Sequence, residues 1–101
     1  MAGHNEIWGM RLKEARLKAG LSQKQLGIQA GLDPSVASTR INRYELGIHK
    51  ADYQIAQHLA TVLGVPTAYF YAEDDELAKW ILAFTQLHEE QRANVHAWLA
   101  E

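Results

Sequence analysis

The chain has 101 residues, 48% of them hydrophobic and 22% charged, which is the composition of one soluble globular domain. It has no cysteine, which excludes disulfides, thiolate metal sites and cysteine nucleophiles. The net charge of −2 divides unevenly, since residues 1–50 carry eight Lys/Arg against four acids (+4) and residues 51–101 carry two against eight (−6); either this is scattered surface charge or a polyanion-binding face adjoins a region with another task.

A helical period recurs along the chain and strand alternation does not. A first helix is predicted over 6–19, with Trp8, Leu12, Ala15 and Ala19 on one side and Arg11, Lys13, Arg16 and Lys18 around the others. Gly20 stops it. Ser22 is a favourable N-cap for a second helix over 23–30, in which Leu26 and Ala30 face inward. Gly31 ends that helix and Leu32 plugs the core.

Asp33-Pro34 reads as an N-cap acid with proline at the first helical position, so a third helix is predicted over about 34–46. Ala37, Ile41 and Tyr44 form its apolar stripe. Ser35, Ser38, Thr39, Asn42 and Arg43 occupy the opposite side, with Arg40 at the flank. A fourth helix over 52–63 turns Tyr53, Ala56, Leu59, Ala60 and Leu63 inward. A short aromatic helix follows over 67–71. The acidic run Glu73-Asp74-Asp75-Glu76 then caps a helix over 75–86, because carboxylates favour the positive end of the macrodipole. The last predicted helix spans 89–100.

The stretch 20–47 therefore encodes two short helices joined by a tight connection, the second with a slim, hydrogen-bonding outer side. A helix entering a major groove ~12 Å wide needs that kind of surface. The first of the two begins Ser22-Gln23-Lys24, which can offer N–H groups and a cation to phosphate. Arg40 reads as a phosphate or intraprotein partner. The reading requires Thr39, Asn42 and Arg43 to project freely.

In this pattern the chain resembles the lambda-repressor-like (Cro/repressor, XRE) family of helix-turn-helix proteins over about residues 8–70. The pieces that carry the resemblance are Gly20-Leu21-Ser22-Gln23, Leu26, Gly31-Leu32, Ile41 with Arg43-Tyr44-Glu45 and Gly47, and Leu59-Ala60 with Leu63-Gly64-Val65. It implies an all-α, five-helix lambda-repressor-like helix-turn-helix domain, here residues 1–72, that binds double-stranded DNA as a homodimer on a palindromic operator. Residues 73–101 form a two-helix C-terminal extension. The family's base-reading positions fall on Ser38, Thr39 and Arg43, and Asn42 shares their polar side. Gln23 matches a phosphate contact, and the backbone near Leu46 and Gly47, followed by His49 and Lys50, matches a second. Arg11 and Glu45 match a structural salt bridge. Where the family has about twelve steps between the two glycines, Gly31 to Gly47 spans sixteen, and four extra residues make one more helical turn of ~6 Å. Either the third helix is longer at its start or the turn is expanded; Asp33-Pro34 favours the longer helix.

Trp80, Ile81, Phe84, Leu87, Trp98 and Leu99 supply more apolar surface than a complete five-helix core needs. They either close that core or form a two-fold interface, and the gain from reading two half-sites favours dimerisation. Catalysis finds no support. His88-Glu89 is followed by Arg92 where a zinc hydrolase needs histidine, and there is no phosphate loop or nucleophile elbow. No enzyme, metal or cofactor is implied. No apolar run spans a bilayer and no secretory signal is visible, so a cytoplasmic location is expected. The main expectation is a transcriptional repressor. The alternative is an antitoxin or interaction module that holds a small protein partner on its C-terminal apolar surface and regulates its own operon.

Overall fold

The computed structural model describes residues 3–101; Met1 and Ala2 lie outside the described residues. Among the described residues the elements are α1 (His4–Lys18), α2 (Gln23–Gln29), α3 (Ala37–Glu45), α4 (Tyr53–Leu63), a 3-10 helix (Thr67–Tyr71), α5 (Asp75–Gln86) and α6 (Glu89–Leu99). Local chemistry sets most of these ends. Ser22 Oγ accepts from Gln25 N at 3.0 Å while Ser22 N donates to Gln25 Oε1 at 2.8 Å, a reciprocal cap for α2. Asp52 accepts from Ile55 N at 2.8 Å to start α4, and Asp74 accepts from Glu76 N at 3.0 Å to start α5.

The first four helices and the 3-10 helix share one core. Leu12, Leu26, Ile41, Leu59 and Phe70 are its largest fully buried side chains, one from each element. Trp8 packs against Phe70 at 5.0 Å and edge-on to Tyr44 at 6.2 Å between ring centroids, which joins α1 to α3 and to the 3-10 helix. Helices α2 and α3 press together where Gly27 meets Ala37, close enough that a Cβ on Gly27 would sit 3.0 Å from the Ala37 backbone.

Three expectations need correction. Ala19 lies past the end of α1 and is exposed, while Arg11 and Arg16, assigned to outer sides, are buried. Tyr53 is 65% exposed, because α4 turns Ala56, Leu59 and Ala60 to the core instead. The third helix begins at Ala37, not at Pro34. Asp33 caps no helix: its carboxylate accepts from Ser35 N at 2.8 Å and from Ser35 Oγ at 2.6 Å, and its carbonyl accepts from Val36 N at 3.0 Å. These bonds close a tight turn. The four extra residues therefore expand the turn, and the Gly27–Ala37 contact fixes where α3 starts.

Candidate nucleic-acid interface

Helix α3 divides cleanly between protein and solvent. Ala37, Ile41, Tyr44 and Glu45 are buried, and Ser38, Thr39, Asn42 and Arg43 are exposed. Because the helix starts at Ala37, Ser38 and Thr39 occupy its exposed first turn. The side chains of Ser38, Thr39 and Arg43 make no hydrogen bond or ion pair with other described residues. Asn42 Oδ1 accepts from Gln23 Nε2 at 3.1 Å, which leaves the Asn42 amide donors for an outside acceptor.

Gln23 also donates to Glu45 Oε1 at 3.1 Å. Its side chain thus ties the start of α2 to α3. Lys24 is exposed beside it. Arg40 is exposed and donates to Tyr44 Oη at 2.8 Å along its own helix. After α3 the chain turns at Gly47, where Ile48 N and His49 N both donate to Arg43 O, and His49 and Lys50 stand exposed. Ser35 holds Asp33 below the ordinary carboxylate range through its hydroxyl and then its N–H, so a fixed negative charge precedes α3.

The Arg11–Glu45 pair does not form. Glu45 accepts from Arg16, at 2.5 Å to Nε and 3.1 Å to Nη2. Five positions on a helix are about 140° of rotation apart, so Arg11 and Arg16 cannot share a partner. Arg11 instead faces the 3-10 helix and the chain that leads into α5. The signal for Arg16 was present: steps of four from Trp8 through Leu12 reach it as readily as steps of four and three reach Ala15.

A helix-turn-helix family model matches residues 12–70, more than half of the chain. The chain belongs to the lambda-repressor-like (XRE) helix-turn-helix family. No curated protein matches it. The crystal structure of the transcriptional regulator BswR is similar over 91% of this chain and 91% of its own, with a TM-score of 0.85 and 43% sequence identity. In this helix-turn-helix protein, α2 and α3 are the motif's two helices, and the likeness to BswR extends well beyond the matched family region into the C-terminal pair.

At that end of the protein, Trp80 is 64%, Phe84 52%, Trp98 65% and Leu99 65% exposed. Ile81 and Leu87 are half-buried. Ala78 alone is buried in α5, and α6 buries no residue. Trp80, Phe84, Trp98 and Leu99 thus stand outside the core, whereas Ile81 packs against it.

Proposed function

We propose that the protein is a sequence-specific double-stranded DNA-binding transcriptional regulator, a repressor, acting as a homodimer in the cytoplasm. The observation that carries this reading is the exposed side of α3, where the side chains of Ser38, Thr39 and Arg43 bond to no other described residue, on a helix whose other side is locked into a helix-turn-helix core. A helix ~10–12 Å across with short outer side chains fits a major groove ~12 Å wide. Ser38, Thr39, Asn42 and Arg43 read base edges. Ser22, Gln23 and Lys24 at the start of α2, with Arg40, His49 and Lys50, hold phosphates and set the docking angle. BswR, described as a transcriptional regulator, supports the regulatory role. No described helix is long and apolar enough to cross a membrane.

The proposed division of labour gives residues 1–72 to DNA and residues 73–101 to dimerisation. An exposed side built from Trp80, Phe84, Trp98 and Leu99 suits a self-complementary interface. Two half-sites one helical turn apart, ~34 Å, then bind together.

Selection of sites from random duplex DNA at a stated salt concentration tests the reading, and a palindrome is expected. On the selected duplex, Arg43→Ala is expected to lose about 1–3 kcal/mol and to relax one base position, whereas Lys24→Gln weakens all duplexes alike and lowers the salt slope by about 1. Unchanged affinity and preference in Arg43→Ala would mean that α3 does not dock in the groove. A stoichiometric small protein co-purifying in place of a second copy would return the alternative of an antitoxin.

A further inference from the structure

Arg11 is buried, 3% exposed, on α1, and the DNA-facing surface does not use it. Its Nε donates to Ala72 O at 2.9 Å, and Nη2 donates to Glu73 O at 3.2 Å and to Asp75 Oδ1 at 2.9 Å. Its guanidinium lies 5.9 Å from the centroid of the Tyr69 ring. All three acceptors lie between the end of the 3-10 helix and the first residue of α5. A planar fork with several fixed donors sets the path of a connector better than a single point charge does.

Burial of Ala72 and the Asp74 cap of α5 share in fixing that path. Beyond the junction, α5 buries Ala78 and half-buries Ile81 and Leu82. The far end of α5 has its own arginine: Arg92 donates to Leu87 O at 3.1 Å and Phe84 O at 3.2 Å and stacks 4.4 Å from the Phe84 ring, which holds α6 to α5. The C-terminal pair is thus one arm with Arg11 at its foot. A swing of about 10° at the foot of an ~18 Å helix moves its far end by ~3 Å. That is about the ~3.4 Å rise of one base pair.

We propose that Arg11 is a positioning residue that sets the spacing between operator half-sites, by fixing the angle at which the dimerising arm leaves the DNA-binding helices. This rests on the homodimer reading above. A dimer whose arms leave at one angle presents its two α3 helices at one separation.

The test uses the full chain and duplexes carrying two selected half-sites in inverted orientation with spacers of graded length. Light scattering first gives the oligomeric state. The wild-type chain is expected to be a dimer that prefers one spacing. Arg11→Lys keeps the charge but cannot reach all three acceptors, and Asp75→Ala removes one acceptor whose side chain is 81% exposed, so folding survives even where Arg11→Lys does not fold. Both variants are expected to stay dimeric and to protect the same half-site bases. Their preference for the best spacing over its neighbours falls by about fivefold, the equilibrium weight of one hydrogen bond. A dimeric variant that keeps the wild-type spacing preference overturns the role of Arg11, as does one whose contacts within a half-site change. A monomeric wild-type chain overturns the homodimer reading itself.

Discussion

Arg16 and Glu45 carry the charged network beneath α3. The Arg16 side chain is 10% exposed and that of Glu45 3%. Arg16 also donates to Leu21 O at 3.0 Å, and Glu45 also accepts from Gln23. One ion pair therefore joins α1, the following connection, α2 and α3. Removing one partner from a buried pair leaves the other charged and uncompensated. Glu45→Ala is expected to destabilise the fold by about 3–5 kcal/mol in urea unfolding. A loss below about 1 kcal/mol would place the pair among surface ion pairs. The sequence marked Glu45 as one half of this pair but gave Arg11 the other half. Motif matching fixes positions within the motif, whereas Arg16 was selected by three-dimensional reach across a helix that lies mostly outside it.

At the scale of elements, close approach of backbones fixes how the helices cross. A Cβ on Gly9 would meet the carbonyl oxygens of Tyr44 and Glu45 at the end of α3. In an open helix, glycine to alanine gains about 1 kcal/mol of propensity. Here Gly9→Ala is expected to reverse that sign and cost about 1–3 kcal/mol, because α3 must move away from α1. A raised urea midpoint would show that the crossing can open freely. Most helix limits were legible, since Ser22, Asp52 and Asp74 each combine a cap with the onset of an apolar period. Asp33-Pro34 carries the same local signature and starts no helix. Asp33 spends its acceptors on Ser35 and Val36, and the contact that fixes the start of α3 is made by Gly27, ten residues earlier in the chain. The outer side of α3 was legible because the stripe of Ala37, Ile41 and Tyr44 keeps its phase wherever the helix begins.

The whole molecule is longer than its length in residues requires. Its radius of gyration is 15.0 Å and its extents are 51 × 31 × 22 Å, against about 13 Å expected for a compact domain of 100 residues. The C-terminal pair of helices buries only Ala78. Trp80→Ala with Trp98→Ala is expected to convert a dimer to a monomer in light scattering and to lower operator affinity by about 100-fold or more, through loss of linked binding. Stability of the isolated chain should move by only about 0.5 kcal/mol, as for other exposed positions. A large fall in melting temperature without change of mass would show that the tryptophans close the core. The sequence showed this surplus of apolar surface but left open what covers it, because coverage depends on tertiary direction rather than on helical phase.

The bareness of α6 has one more consequence. Its eleven residues bury nothing within the chain, and a solitary helix of that length is marginal in water. Its order within one chain rests on Arg92 and on the His88–Gln91 cap. With another copy as the cover, as proposed above, the tail gains order as protein accumulates, and gene dosage itself becomes a signal that the proposed dimer can read.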